Sequence, residues 1–210
     1  MIETMFRLGA HLSSNVSVSQ EFRQIVEELR SNTAYHNLNL SFKKITPHDM
    51  NIILESLKTN TTVTSLELSG CGLANNHLQP IAEILKCNKT LTNLSLSNNN
   101  IGDAGIVIIS NVLKYNQTIT ALTLCRNNIG DIGITAIADI LKCNRTLARL
   151  YLDDNIIGDT GGTAIANALS INNTLETLSM TKNQLSGIIK TMIDKSFKKN
   201  RQNSYSYVQL

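Results

Sequence analysis

Hydrophobic residues follow two different spacings along the chain, and each spacing predicts one kind of element. Around Leu94 and Leu96, apolar and polar residues alternate with a period of two, which is typical of a short strand with one buried face. Further along, Ile106, Ile109 and Leu113 follow the i, i+3, i+7 spacing that places residues on one face of a helix. The pattern therefore predicts a strand, a turn, a helix and a second turn in succession.

This unit recurs every 28 residues without insertions, so that six registered copies begin at residues 35, 63, 91, 119, 147 and 175. A single unit cannot bury its own apolar side, and repeated units therefore stack on one another around a continuous core. The same five positions of the six copies are occupied by Tyr35, Leu38, Leu40, Lys43 and Ile45; Val63, Leu66, Leu68, Cys71 and Leu73; Leu91, Leu94, Leu96, Asn99 and Ile101; Ile119, Leu122, Leu124, Asn127 and Ile129; Leu147, Leu150, Leu152, Asn155 and Ile157; and Leu175, Leu178, Met180, Asn183 and Leu185.

The second half of each unit carries the helix and its boundaries. We expect Asp103, Asp131 and Asp159 to cap the helices that they precede, and Thr46 with Pro47 to start the helix of the first repeat. An Asn comes after each helix and is followed two residues later by Thr, at Asn60, Asn88, Asn116, Asn144 and Asn172. These sequons recur because the repeat recurs, and we do not interpret them as glycosylation sites.

The pattern resembles leucine-rich repeats over residues 19–202, and its 28-residue period is similar to that of the ribonuclease-inhibitor subclass. The resemblance and the periodicity predict the same α/β fold class: a right-handed, curved leucine-rich-repeat solenoid with a parallel sheet on the concave face and helices on the convex face. In the turn after each strand, the Asn side chains should form a ladder of hydrogen bonds to the backbone, which Lys43 and Cys71 interrupt. The predicted structural ladder consists of Asn99, Asn127, Asn155 and Asn183.

Both ends of such an array need caps, because a terminal repeat would otherwise expose its core. Residues 1–34 are predicted to form an N-terminal cap with a helix at about 19–31, and the alternation over 6–12 is compatible with a degenerate first strand. The six repeats then occupy residues 35–202. Residues 203–210 remain as a C-terminal tail or an edge strand.

Composition narrows the classes of function. The 210 residues fit one domain or a short repeat array, and 42% hydrophobic with 17% charged residues indicates a globular chain. Met1–Leu12 lacks the apolar run of a signal peptide, and we expect no membrane-spanning segment. The net charge of +3 is too small to imply nucleic acid without a local patch. The four cysteines form no C-x-x-C pair, which favours reduced thiols and a cytoplasmic location.

The sequence contains no motif that we can assign to catalysis: there is no P-loop, no H-E-x-x-H and no dinucleotide-binding fingerprint. We therefore predict a chain that is not an enzyme and that takes no cofactor and no small-molecule substrate. His48, His77 and Cys71 fall near the helix starts of neighbouring repeats, but no fourth ligand has the spacing that a structural zinc site needs, and we expect no metal site.

The C-terminal end is basic. The segment from Lys182 to the last residue contains six Lys or Arg residues and one acidic residue, Asp194. Its net charge is therefore +5, and that of the rest of the chain is −2. Tyr205 and Tyr207 follow, so salt-sensitive binding of lipid or nucleic acid is an alternative function for this end. A solubilising cap on the last repeat accounts for the same charges, and we favour neither nucleic acid nor acidic lipid as the partner.

The concave surface is where the repeats differ most. Early repeats place short polar side chains between the buried leucines, whereas later repeats place Arg, Tyr and carboxylates there. Arg and Tyr are enriched in binding hot spots. The alternative interpretation is that these charges, on successive strands, only neutralise one another. The candidate partner-binding residues are Arg126, Arg149, Tyr151, Asp153, Asp154 and Lys182.

The predicted function is a non-catalytic protein–protein interaction module that binds a protein partner on its concave face. Similar repeats form the sensing ends of NOD-like receptors, ribonuclease inhibitor, and bacterial proteins delivered into host cells. The Asn-, Ile- and Lys-rich composition favours the third context, a bacterial virulence effector acting on a host protein, with the host-cell cytosol as the alternative location. A second class is a regulator of a small GTPase, because the GTPase-activating protein of the nuclear transport GTPase looks like a crescent of similar repeats.

Overall fold

The computed structural model describes residues 18–33, 36–199 and 206–210. Within these ranges, seven helices alternate with seven short strands, and a single 3-10 turn at Asn75–His77 precedes the third helix. The helices are α1 (Gln20–Ser31), α2 (Pro47–Leu57), α3 (Leu78–Cys87), α4 (Asp103–Leu113), α5 (Asp131–Cys143), α6 (Asp159–Leu169) and α7 (Gly187–Lys199). The strands are β1 (Asn37–Asn39), β2 (Ser65–Glu67), β3 (Asn93–Ser95), β4 (Ala121–Thr123), β5 (Arg149–Tyr151), β6 (Thr177–Ser179) and β7 (Tyr207–Gln209).

The strands form one open parallel sheet in the order of the sequence, from β1 to β7. The central residue of each strand pairs with the central residue of the next, so that Leu38 begins a column of leucines that ends with Leu178 and Val208. Consecutive leucines of the column are 28 residues apart, whereas Val208 follows Leu178 after 30. The predicted α/β solenoid is confirmed, and its sheet has one strand more than the six repeats provide.

The difference in width between strands and helices explains why the sheet lies on the inner side of the curve. Neighbouring strands lie about 4.8 Å apart, whereas packed helices need about 8–10 Å. Each helix packs against the next along the array, from α1 through α7. The helix side is therefore the longer one, and the sheet becomes the concave face.

A single hydrophobic core runs the length of the solenoid and is closed by a helix at each end. Leu66, Leu94 and Leu150 of the strands are at most 1% exposed. At the N-terminal end, α1 contributes Phe22 to this core, and at the other end α7 contributes Phe197. The alternating segment 6–12 and Tyr35 lie outside the described residues. No described helix combines the length and the apolar character needed to cross a bilayer.

Buried Asn side chains connect each helix end to the repeat before it. Asn144 donates from Nδ2 to the carbonyl oxygens of Leu113 (2.8 Å) and Asn116 (3.1 Å), and its Oδ1 accepts the N–H groups of Thr146 (2.9 Å) and Leu147 (2.8 Å). The Asn-x-Thr sequence recurs because this turn recurs. Such a side chain is buried and already bonded. The same column contains Asn60, Asn88, Asn116, Asn144 and Asn172.

A second Asn column satisfies the turns that follow the strands. Asn127 donates from Nδ2 to the carbonyl oxygens of Leu96 (3.0 Å) in the preceding repeat and Leu124 (3.1 Å) in its own, while its Oδ1 accepts the Ile101 N–H (3.1 Å). Asn99, Asn155 and Asn183 make equivalent bonds. At the corresponding place Cys71 donates from Sγ to the Leu40 carbonyl (3.1 Å), so a weaker donor occupies the turn there.

The expectation that Asp103, Asp131 and Asp159 cap their own helices is wrong. Each is the first residue of its helix, and a glycine occupies the N-cap. A side chain at this position projects toward the neighbouring repeat, where it accepts backbone N–H groups of the next helix start. Asp131 Oδ1 accepts from Gly158 (2.7 Å) and Gly161 (3.0 Å). By contrast, Thr46 does cap α2, accepting the Asp49 N–H at 3.1 Å, with a proline at the first helical position.

Replacing Asn144 by alanine tests the buried Asn column. The substitution leaves two carbonyls and two N–H groups of the turn without a partner, and each such buried group costs about 1–3 kcal/mol. We expect Asn144→Ala to lower the free energy of unfolding by at least about 4 kcal/mol in urea titrations. The matched Asn167→Ala, on the exposed side of α6, should change it by less than about 0.5 kcal/mol. Equal effects of the two variants would contradict the role assigned to the column.

Candidate functional site

The concave face is built from the residues on either side of the buried strand leucines. These residues form two columns across the sheet, because the strands are in parallel register. The first column is Asn37, Ser65, Asn93, Ala121, Arg149, Thr177 and Tyr207, and the second is Asn39, Glu67, Ser95, Thr123, Tyr151, Ser179 and Gln209. Arg and Tyr occupy these columns only at β5, as Arg149 and Tyr151, and at β7, as Tyr207, while Glu67 and Gln209 are the other long side chains.

Arg149 and Tyr151 are the two outward residues of β5, separated by the buried Leu150. Arg149 is exposed and lies between Ala121 and Thr177 in the register, so its guanidinium stands above small neighbours. Tyr151 is half-buried, and this burial, together with the nearby Tyr207 hydroxyl, raises its pKa.

The sequence interpretation did not place Tyr207 in this cluster. Tyr207 is 48% exposed and begins β7, which pairs with β6 so that Tyr207 stands opposite Thr177. The sequence signal that could have predicted its position is the short Tyr207-Val208-Gln209 segment. An apolar Val208 between two polar neighbours repeats the strand pattern, but two residues later than the 28-residue period requires.

Arg126, Asp154 and Lys182 lie in the turns after the strands, at the C-terminal edge of the sheet. All three have left-handed backbones, with φ of 54°, 59° and 55°. In this conformation the backbone N–H groups of Arg126 and Asp154 bond to the next repeat, at the carbonyls of Asp153 (2.8 Å) and Thr181 (2.9 Å). The equivalent residues of the six turns form a turn column: Phe42, Gly70, Asn98, Arg126, Asp154 and Lys182.

A shallow groove of about 390 Å³ follows this turn column from Phe42 to Lys182. Phe42 is 73% exposed, and its ring covers Gly70, where a Cβ atom would collide with it. Within the groove Arg126 Nε lies 3.6 Å from Asp154 Oδ2. The two side chains therefore neutralise each other in part, as the alternative interpretation of the sequence expected.

Asp153 differs from the other candidates because its carboxylate is bonded inside the scaffold. Oδ1 accepts the Ser179 hydroxyl (2.5 Å), the Thr181 hydroxyl (2.6 Å) and the Thr181 N–H (2.8 Å). Partial burial alone would raise the pKa of Asp153, but these hydrogen bonds outweigh it and the pKa is lowered. The structure therefore brings Asp153 next to the proposed surface but uses its carboxylate to fix β6 and the turn that follows.

The other chemical groups that the sequence singled out are separated or already bonded. His77 Nδ1 accepts the Ala74 N–H at 2.9 Å, and His48 lies exposed at the start of α2. In the described ranges no cluster of three or more His, Cys, Asp or Glu side chains could hold a metal ion. Of the basic C-terminal residues, Lys198 pairs with Asp194 at 2.9 Å. Arg201 and Tyr205 lie outside the described residues.

The bonding of Asp153 predicts a pH-dependent contribution to stability. Because its pKa in the folded protein lies below the ordinary value of 3.8, the charged carboxylate stabilises the fold above that value, and this stabilisation is lost as the pH falls through the lowered pKa. We expect Asp153→Asn to lower the free energy of unfolding by about 1–3 kcal/mol at pH 7, and the deficit to shrink below about pH 5. The exposed Asp154→Asn should cost less than about 1 kcal/mol. A deficit that does not change with pH would contradict this assignment.

The cysteines should react at unequal rates. Burial raises the pKa of Cys125 to about 11, and the neighbouring Asp153 carboxylate adds to the shift, while burial also raises the pKa of Cys71. Cys87 and Cys143 are exposed. Since the thiolate is the nucleophile, iodoacetamide at pH 8 should modify the exposed pair at least about tenfold faster, as read by peptide mass spectrometry. In urea all four should react alike. Equal labelling of Cys125 and Cys143 in the folded protein would contradict the burial of Cys125.

Comparisons with known proteins agree with this geometry. A leucine-rich-repeat family model matches residues 59–82, 87–110, 115–138 and 143–166, each of which covers one strand, the turn after it and the first part of the next helix. No curated protein matches the chain in a comparison of sequences.

Among solved structures, the "Leiomodin-1 Actin-Binding Site 2 (ABS2)" is similar with a TM-score of 0.51 and 22% identity, over 87% of this chain and 91% of that one. A Caenorhabditis elegans tropomodulin C-terminal domain gives a TM-score of 0.51 and 9% identity over 89% and 93%. An internalin (inlF) from Listeria monocytogenes gives a TM-score of 0.56 and 18% identity, over 88% of this chain and 50% of that one. At these identities the likeness concerns the fold alone. The repeats matched and the architecture agree: the chain contains leucine-rich repeats and folds as a leucine-rich-repeat solenoid.

Proposed function

We propose that the chain is a non-catalytic protein-interaction module whose partner docks on the C-terminal half of the concave face. Leucine-rich repeats are typically non-catalytic binding modules, and such proteins bind protein partners. The observation that carries the choice of surface is the pair Arg149 and Tyr151, both on the concave side of β5, with Tyr207 two strands away in the same sheet.

Rigidity supports this choice. A strand in the middle of the sheet is held on both sides, since β5 pairs with β4 and β6 along its full length. Side chains on it are therefore positioned before a partner arrives, and a preorganised surface loses less entropy on binding. The earlier strands present mainly Asn, Ser and Thr at the same places, which offer hydrogen bonds but little area to bury.

Charge at the edge of the surface supports a partner that brings carboxylates. Arg126 and Asp154 form an exposed pair, worth less than about 1 kcal/mol, which a partner's carboxylate can replace. Lys182 and Arg149 take part in no ion pair among the described residues. Asp153 is left out of the proposed contact set, because its carboxylate is bonded to Ser179 and Thr181.

We further propose that the partner is a host protein met in the cytosol of a eukaryotic cell, as for a delivered bacterial effector. The Asn-, Ile- and Lys-rich composition supports this origin. Actin is a defined candidate partner for the same experiment, since the leiomodin-1 fragment with the same fold is titled as an actin-binding site.

Affinity capture from eukaryotic lysate tests the surface directly. The immobilised chain is compared with the variant Arg126→Ala/Arg149→Ala/Tyr151→Ala, and purified actin is tested alongside. Because truncating hot-spot residues costs about 2 kcal/mol or more each, we expect the retained partner to be lost from the variant, with a dissociation constant raised at least about 100-fold in titration calorimetry.

The matched control is Asn37→Ala/Ser65→Ala/Asn93→Ala, which truncates the same column as Arg149 on the first three strands. It should retain the partner, and both variants should keep the parent's circular dichroism spectrum. Retention of the partner by the folded Arg126/Arg149/Tyr151 variant would refute the surface. A lysate in which nothing is retained would refute the host-protein proposal.

A further inference from the structure

The helix side of the solenoid carries a column of lysines at the helix C-terminal ends in four consecutive repeats, from Lys58 to Lys142, whereas the equivalent place in the next repeat holds Ser170. Three of them pair with a carboxylate three residues earlier: Lys58 with Glu55 (2.6 Å), Lys86 with Glu83 (2.6 Å) and Lys142 with Asp139 (2.7 Å). At the equivalent place before Lys114 stands Asn111, and Lys114 takes part in no ion pair among the described residues.

The same repeat also differs from its neighbours at the next residue, Tyr115. The residues at this place in the neighbouring repeats are Thr59, Cys87 and Cys143, whereas Tyr115 is 77% exposed. Its backbone is fixed by a hydrogen bond from its N–H to the Val112 carbonyl at 3.0 Å, and Lys114 Nζ lies 5.6 Å from the centre of its ring. A cation at a helix C-terminus is explained by the helix dipole, but an aromatic ring held in solvent is not.

The Tyr115 ring stands between two hollows. On one side, the groove between α3 and α4 holds about 440 Å³ and has an apolar lining from Ala82, Leu85, Ile108 and Val112, with Lys86 and Lys89 beside it. On the other side lies a hollow of about 380 Å³, which Lys114 and Arg145 line. No Asp or Glu lines either hollow, so both present positive charge around the aromatic ring.

We propose that this second surface, the Tyr115 surface (Lys86, Lys89, Lys114, Tyr115 and Arg145), binds an acidic peptide segment of a partner protein that carries an apolar side chain. Carboxylates of the segment meet Lys89 and Lys114, neither of which pairs with a carboxylate among the described residues, and the apolar side chain enters the α3–α4 groove against Tyr115. Charge complementarity selects the acidic segment. A groove between two helices favours a peptide over a flat bilayer, and its apolar lining favours a side chain over a phosphate backbone.

The test measures binding of a fluorescein-labelled decapeptide in which Asp and Glu residues flank a central Leu-Phe pair, by fluorescence anisotropy with the full chain. The key variant is Asn111→Glu/Tyr115→Thr, which gives the repeat the residues that neighbouring repeats already carry and is therefore compatible with the fold. The control Asn167→Glu places the same new charge at the equivalent position of α6. Two further probes, phosphatidylserine vesicles and a single-stranded oligonucleotide, show whether the surface binds the acidic peptide or other anions.

We expect the parent and Asn167→Glu to bind the peptide alike, and Asn111→Glu/Tyr115→Thr to bind it at least about tenfold more weakly. A peptide with Asn and Gln in place of the acidic residues should bind at least about tenfold more weakly to the parent. Three results would overturn the proposal: no saturable binding up to about 1 mM peptide, equal binding by the two variants, or binding of vesicles or oligonucleotide that the Asn111/Tyr115 variant abolishes while the peptide stays unbound.

Discussion

The hydrogen bond from an Asn side chain to the backbone of the preceding repeat is the interaction on which this solenoid depends. Stacking buries two chain reversals per repeat, and each buried peptide group left without a partner would cost about 1–3 kcal/mol, which opposes the gain from burying the leucines. One Asn amide supplies both a donor and an acceptor, so Asn144 and Asn127 each satisfy carbonyls of the earlier repeat and N–H groups near them. Removing the column would leave the apolar core intact but the turns unsatisfied.

Bonds of this kind also explain why the repeats keep a strict length. Asp131 reaches the N-terminus of the next helix, and Gly133 leaves room for Asp103, since a Cβ atom there would lie 2.6 Å from Asp103 Oδ1. An insertion in any unit would break contacts with the units on both sides. Variation is therefore confined to side chains that face away from these bonds, on the concave face and along the helix ends.

At two places the chain departs from the repeated pattern by presenting large side chains on a rigid part of the scaffold. On β5 the scaffold holds Arg149 and Tyr151 above small neighbours, and after α4 it holds Tyr115 beside Lys114, which forms no ion pair among the described residues. Neither aromatic side chain is needed to close the core, because the places equivalent to Tyr151 hold Asn, Glu, Ser or Thr, and those equivalent to Tyr115 hold Thr, Cys or Ile. Large side chains that a rigid scaffold presents without a structural need are suited to contact another molecule. The first surface lies on the sheet and the turns after its strands, and the second lies at the helix C-terminal ends, so that they share no residue.

The sequence by itself determined the architecture, because the leucine spacing fixes which side chains are buried and the 28-residue register fixes which strands pair. It also predicted the hydrogen-bonding role of the Asn column in the turns after the strands, whereas for the Asn residues after the helices it indicated only that they recur. It could not show which atoms each polar group reaches across repeats. Asp103, Asp131 and Asp159 bond to the next helix rather than their own, and Asp153 is bonded inside the sheet edge. The seventh strand was also decided by tertiary structure, because Val208 reaches the leucine column outside the repeat period, where only pairing with β6 brings Tyr207 beside Tyr151.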